Sequence, residues 1–269
     1  MTKIVACIAA RMESSRLPGK VLRPLNGYPM NGVLVQRLKR DSKLIDDICI
    51  CTPDGDANQP IRDAAVEWGV HTTAGTQKDI LQNFIDSTEQ LGGDHMLRIT
   101  GDNVFTDPDY IDVMIKAHLE HEAEYTRTEN LPLGVTAEVM SLPMAKRLHE
   151  MVKDDPVKTQ YMLLYSFDPD NFKCCVVEPE PEHNRPYYSC TIDTDEDWER
   201  TEDIMKAFPD AEWGPSLTQI IGWMDDHPTL RKNLDPESQI KLPHGQTKSY
   251  ADFLNDLDFK KQKSIVVKA

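Results

Sequence analysis

Residues 3–20 read Lys3-Ile4-Val5-Ala6-Cys7-Ile8-Ala9-Ala10-Arg11-Met12-Glu13-Ser14-Ser15-Arg16-Leu17-Pro18-Gly19-Lys20. Residues 3–9 form an apolar run of strand length, and the chain then breaks at Arg11 into a polar loop. That loop holds three cations, two serines and a glycine within ten residues. A buried strand feeding such a loop is the opening expected of an α/β fold, in which ligands sit beyond the carboxyl ends of parallel strands. Arginine grips phosphate bidentately and lysine acts on it as a point charge, while serine hydroxyls and backbone N–H groups add donors. The loop is therefore a candidate phosphate site. It is neither a Walker A loop nor a dinucleotide fingerprint, because G-x-x-x-x-G-K-[ST] and G-x-G-x-x-G are both absent.

Outward from this loop the pattern repeats. Residues 29–41 carry Met30, Val33, Leu34 and Leu38 at helical spacing. A strand is expected at 46–52, ended by Pro53-Asp54-Gly55. Helices follow at 57–68 and 77–91, a third strand at 94–99, and a helix at 108–121 opened by Pro108. Strand–helix alternation over 120 residues predicts a mainly parallel sheet. Beyond it the pattern is mixed, with strands expected at 123–128, 135–140, 172–178 and 187–192 and helices at 141–152, 157–164 and 195–207. The expected division is a catalytic domain over 1–212 and a helical or irregular extension over 213–269 packed on it. The basic run Lys260-Lys261-Gln262-Lys263 reads as a solvated terminus.

Composition narrows the function. The 269 residues carry 30 Lys and Arg against 45 Asp and Glu, a formal charge of −15. That sign argues against nucleic acid or an anionic membrane as the main partner, since both are polyanions. A basic cluster on this background is correspondingly informative. The apolar run at the N-terminus is too short to span a membrane, which takes ~20 residues. The six cysteines form no C-x-x-C pair, and Cys7, Cys49 and Cys51 lie in apolar runs. Buried reduced thiols, and hence a cytoplasmic protein, are the expectation. His118 and His121, three apart on a helix, read as two surface histidines rather than metal ligands.

Two aspartates stand where a cation is wanted. Asp102 follows a buried strand and Gly101; Asp193 follows the apolar run 187–192. Together they offer two carboxylates, matching the way Mg²⁺ combines one or two protein carboxylates with substrate phosphates. The competing assignment is capping of the next helix by Thr194-Asp195-Glu196-Asp197, with Asp195 or Asp197 the better candidates for it.

The loop Ala-Arg-x-x-Ser-Ser-Arg-Leu-Pro-Gly-Lys resembles the opening motif of the cytidylyltransferases, especially those of the spore-coat-polysaccharide type and the synthetases of CMP-sugar acids. The resemblance continues through Arg98-Ile99-Thr100-Gly101-Asp102, Pro132-Leu133-Gly134 with Glu138, and Thr191-Ile192-Asp193-Thr194-Asp195-Glu196-Asp197, over roughly residues 3–208. It implies a three-layer, Rossmann-like fold of the nucleotide-diphospho-sugar-transferase type with a mostly parallel sheet. It implies transfer of CMP from CTP with Mg²⁺ as cofactor and release of pyrophosphate, in surface polysaccharide or glycoconjugate synthesis. Arg11, Arg16, Lys20 and Asp102 are the implied catalytic residues, and Asp102 and Asp193 the metal ligands. Nucleotide binding falls to Ala9, Ala10, Ser14, Ser15, Gly19, Thr52, Gly75, Asp79 and Arg98. A homodimer is also implied.

The acceptor end departs from the family. Thr136 stands at a commonly acidic position, Ser189 at a commonly basic one, and Asp155-Pro156-Val157-Lys158-Thr159-Gln160 replaces the usual Glu-His-Val-Thr-Pro. Gly134, Glu138, Tyr187 and Arg185 are the acceptor candidates, with Arg127, Lys158 and His183 as further cations for an anionic acceptor. A glycosyltransferase using Asp193-Thr194-Asp195, and a non-catalytic nucleotide-binding relative, are the competing readings. Pyrophosphate release separates the first of these from nucleotidyl transfer.

Overall fold

Along strand β1 (Ile4–Ala9), Ile4, Ala6 and Ile8 enter one apolar core while Val5 and Cys7 enter another. Both faces are therefore covered, which is why the run is apolar without alternation. The computed structural model describes residues 2–155, 158 and 161–269. Seven further strands complete the sheet: β2 (Asp47–Pro53), β3 (His71–Gly75), β4 (His95–Thr100), β5 (Tyr125–Thr128), β6 (Glu138–Ser141), β7 (Cys174–Glu178) and β8 (Ile265–Lys268). The order is β8-β7-β5-β6-β4-β1-β2-β3. Strand β6 pairs antiparallel with both neighbours, and all other pairs are parallel. The expected α/β fold with a mostly parallel sheet is thus present.

Helices α1 (Met30–Asp41), α2 (Gln59–Glu67) and α4 (Pro108–Glu120) cover one face, joined by α7 (Asp195–Ala207) and α8 (Leu217–Asp226). Helices α3 (Ile80–Gln90), α5 (Leu142–Val152), α6 (Met162–Ser166) and α9 (Tyr250–Lys261) cover the other. Each buries the face its spacing announces, as Leu81, Phe84 and Ile85 do on α3.

Four expectations change. Residues 71–75, between the expected helices 57–68 and 77–91, form an additional edge strand. The segment expected as a strand over 187–192 pairs only at Tyr188–Ser189, with Lys232–Asn233. It runs instead along Leu133: Leu133 N–H donates to the Tyr188 carbonyl (2.8 Å) and Cys190 N–H to the Leu133 carbonyl (2.7 Å). The expected helix 157–164 lies partly outside the described residues, since 156, 157, 159 and 160 are not among them; α6 spans Met162–Ser166. The basic run near the C-terminus is anchored. Lys260 donates to the Leu164 carbonyl (3.1 Å), Lys261 to Glu178 (3.1 Å) and Lys263 to Asp170 (3.0 Å), and β8 then pairs along β7.

His118 also differs. Its side chain is fully buried between β5 and β4, with Nδ1 at Thr126 Oγ1 and Nε2 at His95 Nδ1, each 2.9 Å. Burial, then the neighbouring His95, pushes its pKa down to about 3, so it stays neutral as part of the core.

Candidate active site

The ends of β1 and β4, the 190–193 segment and one loop converge. Gly101, at the end of β4, lies so close to β1 that a Cβ there would come within 2.8 Å of the Ala9 carbonyl; only glycine permits this approach. Gly101 N–H bonds that same carbonyl at 2.8 Å. Asp102 follows directly, and its own carbonyl accepts from Ile192 N–H (3.1 Å), which lays Asp193 beside it. The 11–20 loop folds back on itself: Gly19, at φ 71°, donates to the Met12 carbonyl (2.9 Å), and Met12 N–H donates to Asn58 (2.9 Å). Ser14 Oγ accepts from Leu17 N–H (3.3 Å), closing the turn from inside.

This folding carries Lys20 inward until it is 7% exposed. Its ammonium lies 3.2 Å from Asp102 Oδ2 and 3.3 Å from Asp193 Oδ1, and it also donates to the Ile192 carbonyl. Arg16, largely exposed, reaches Asp193 at 2.9 Å. Asp193 is further held by Asp197, whose Oδ2 accepts from the N–H groups of Asp193 (3.0 Å) and Thr194 (3.1 Å). Thr194 and Asp197 form the capping box of α7. Burial opposes ionisation of Asp197, but Arg200 and Lys232 outweigh it and hold the carboxyl at about 2. Asp195 turns away to Arg23 (3.1 Å), so Asp193 and Asp195 do not converge as an Asp-x-Asp metal pair would.

Two clefts meet at this cluster. The first, about 460 Å³, is lined by Ala9, Ala10, Arg11 and Pro53, by Thr76, Gln77, Ile80, Asn83 and Phe84, and by Arg98, Thr100 and Asp102. The second, about 360 Å³, shares Arg98, Thr100 and Asp102 and continues past Asn103, Arg127, Thr128, Gly134, Thr136, Glu138 and Thr191. Glu138 aims Arg98: one carboxylate oxygen accepts from Arg98 and the other from Tyr125 OH.

Not every sequence candidate lines these clefts. Thr52 is fully buried at the end of β2, its carbonyl accepting from Asn83 Nδ2 (3.2 Å) and its hydroxyl without a partner. Gly75 makes room for Asn83, which a Cβ would meet at 2.9 Å. Asp79 caps α3 through Gln82 N–H (3.1 Å) and pairs with His149 (2.7 Å). Ser15 is exposed on the loop. At the acceptor end Gly134 and Glu138 line the second cleft, and Gly134 presses so closely on Thr191 that a Cβ would lie 2.7 Å from its nitrogen. Arg185 is tied instead to Asp225 (2.9 Å), and Tyr187 packs edge-on against Tyr250. Sequence reasoning missed Thr76, Gln77 and Asn83, although they flank the Gly75 and Asp79 candidates directly.

The donor set suits a hard cation. Two carboxylate oxygens converge on one ammonium position, and Mg²⁺ takes such a pair together with phosphate oxygens and water. Among the described residues no group of three or more His, Cys, Asp or Glu forms a self-sufficient metal cage.

Comparison with known proteins supplies the family. The profile of the cytidylyltransferase family matches residues 5–214. The spore coat polysaccharide biosynthesis protein SpsF of Bacillus subtilis is 32% identical over 203 residues, covering 74% of this chain and 85% of that protein. A cytidylyltransferase from Leptospira borgpetersenii superposes with a TM-score of 0.79 at 24% identity, covering 87% of this chain and 99% of the other. A CMP:2-keto-3-deoxy-manno-octonic acid synthetase solved with CTP superposes at 0.60 and 13% identity, covering 77% and 99%. With its family profile matched from β1 into the segment after α7, the chain belongs to the cytidylyltransferases, a family of nucleotidyltransferases.

Proposed function

We propose that the chain transfers CMP from CTP to a small anionic acceptor, a sugar acid, a sugar or polyol phosphate, or a phosphonate, and releases pyrophosphate, in the synthesis of a surface polysaccharide or glycoconjugate. The observation that carries this reading is the Lys20–Asp102–Asp193 cluster at the junction of two clefts. One cleft adjoins the cation-bearing loop and suits a nucleotide; the other suits a second substrate.

In this reading Arg11, Arg16 and Lys20 bind the triphosphate and neutralise the charge that gathers on the departing pyrophosphate. An acceptor oxygen forms a bond to the α-phosphorus as the bond from that phosphorus to the bridging oxygen breaks. Asp102 and Asp193 would hold a divalent cation, which when bound would screen the phosphate oxygens and polarise the α-phosphoryl group. Arg98, aimed by Glu138, faces both clefts and orients the two substrates. The chain's task is positioning and charge neutralisation, as in other phosphoryl transfers. An ionised phosphate or phosphonate acceptor needs no general base, whereas a sugar hydroxyl benefits from one. Asn83, which lines the first cleft, is the candidate for reading the nucleobase, with Thr52 buried behind it and holding its amide through the Thr52 carbonyl.

The named activities of the similar proteins support CTP as donor and polysaccharide synthesis as the setting. The divergence of Asp195 toward Arg23 removes support from an Asp-x-Asp glycosyltransferase. Six free, buried cysteines support a reducing, cytoplasmic location. Among the described residues no helix is long and apolar enough to cross a membrane. The test is pyrophosphate release from CTP, UTP, ATP and GTP with Mg²⁺ across a panel of the acceptor classes. Release with CTP and one class supports the reading; a nucleoside diphosphate product instead contradicts it.

A further inference from the structure

Arg98, Glu138 and Arg127 occupy one register row across β4, β6 and β5. Directly opposed residues in a sheet project from the same face, so the row presents cation, anion, cation. Glu138 spends both oxygens on Arg98 and Tyr125. Arg127 is met at longer range by Glu129, whose Oε1 is buried without a hydrogen-bond partner. Arg127 Nε donates to the Thr128 carbonyl (3.2 Å), its guanidinium lies over the Phe167 ring at 5.2 Å, and its Nη1 is buried without any partner. Among the described residues it makes no ion pair, and none of the remaining residues is acidic. Lys260 lies over the same Phe167 ring at 5.8 Å and adds a like charge. Glu129, two residues along, turns one oxygen toward Lys261 (3.8 Å).

A half-buried cation with an unpaired donor is unfavourable unless an anion meets it. Arg127 lines the second cleft, and so does Asn103, whose Oδ1 is likewise buried and unpartnered. One cleft therefore holds an unmet cationic donor and an unmet neutral acceptor. Arg127 stands two strands from Arg98, ~10 Å away by strand spacing, and so is displaced from the Lys20–Asp102 cluster where bond exchange is placed.

We propose that Arg127 is a specificity-determining residue that binds an oxyanion of the acceptor other than its attacking oxygen, while Asn103 accepts a hydroxyl from the same molecule. This deepens the transfer reading above and rests on it. The acceptor class it selects is a hydroxylated compound with a separate anionic group. A molecule whose sole oxyanion is also its nucleophile leaves Arg127 unmet and is a poor substrate.

The first test is independent of turnover. Sulfate is titrated into wild-type and Arg127→Met protein, each saturated with CTP in EDTA so that nucleotide fills the 11–20 loop, and amide shifts are followed by NMR. Methionine preserves the apolar cover on Phe167. Saturable shifts at residues 126–137 are expected in the wild type, weakened roughly tenfold or more in Arg127→Met and partly restored in Arg127→Lys. Equal titrations in the wild type and Arg127→Met, or no shifts in the wild type, overturn the proposal. The second test uses any acceptor that supports pyrophosphate release. Arg127→Met should raise the acceptor KM roughly tenfold or more, leave the KM for CTP unchanged, and abolish discrimination against the analogue lacking the separate anionic group. An unchanged acceptor KM overturns the role of Arg127 while the transfer reading stands. Absence of pyrophosphate release with every acceptor contradicts the transfer reading, and the sulfate titration then decides on Arg127.

Discussion

Lys20 is the residue on which the site turns. A lysine at 7% exposure is tolerable only with its charge met, and here two neighbouring carboxylates meet it. It keeps Asp102 and Asp193 from repelling each other and stands beside the place where phosphate charge is to be received. Lys20→Met should lower turnover by about 10²–10³-fold, the scale seen when one preorganised charge donor is removed. It should also lower the melting temperature, because two carboxylates are left facing each other. Asp102→Asn keeps the shape and one hydrogen-bonding oxygen, so turnover should fall comparably while circular dichroism and melting temperature stay close to wild type. Full activity in either variant would remove the cluster from the mechanism. At this scale the sequence was informative where chemistry is local: Arg16, Lys20 and Asp102 stand out by their charge just beyond β1 and β4, and Asp193 by its charge after an apolar run. It was uninformative for Arg185 and Tyr187, whose engagement by Asp225 and Tyr250 depends on partners 40 and 63 residues away.

At the scale of elements, the N-terminus of α7 does two jobs. Its capping box starts the helix, and the same Asp197 carboxylate accepts the Asp193 N–H that sets a candidate ligand in place. The folded-state value of about 2 lies below the ordinary carboxylate value of ~3.9, so the unfolded chain binds the proton more readily. The stabilisation is complete above pH ~4 and is lost as pH falls through about 2. Asp197→Asn should therefore cost about 2 kcal/mol at pH 7 and flatten the fall in stability between pH ~4 and ~2. Urea unfolding of both proteins over that range is the check, and identical pH profiles would contradict it. Elements with a strong period were legible: α1, α3, α4 and α7 lie within a few residues of their expected limits. Strand β3 was not, because His71-Thr72-Thr73-Ala74-Gly75 carries no large apolar residue at its sheet edge. Tyr187–Ile192 misled for the opposite reason. Cys190 and Ile192 are buried, but against the 131–135 segment and α8 rather than in the sheet.

Across the whole molecule the chain beyond residue 213 is woven into the same cores. Strand β8 extends the sheet along β7, Lys232 bonds both Asp197 oxygens at 2.9 Å, and six apolar side chains, Leu217, Ile220, Ile221, Trp223, Met224 and Leu257, are buried with those of residues 1–212. At ~1.5–3 kcal/mol for each, their loss totals on the order of 10 kcal/mol, comparable to the whole stability of a typical domain. A chain ending at residue 212 should fail to fold cooperatively, and a two-state unfolding transition with wild-type midpoint would contradict this. The expectation of a separate extension from residue 213 came from Pro-punctuated turns in the sequence. The return of Ile265–Lys268 to the sheet was hidden behind a run of lysines whose partners, Glu178 and Asp170, lie about 90 residues earlier.

The central claim is that α-phosphorus transfer takes place where the two clefts meet. It is tested most directly with CTP labelled at the α-phosphorus, incubated with Mg²⁺ and an acceptor from the class that supports pyrophosphate release. The label should move onto the acceptor as the CMP conjugate, one pyrophosphate should be released per transfer, and Asp102→Asn should lower both rates about 10²-fold or more. Label that stays in free nucleotide while a nucleoside diphosphate accumulates, or transfer at the wild-type rate in Asp102→Asn, would contradict it.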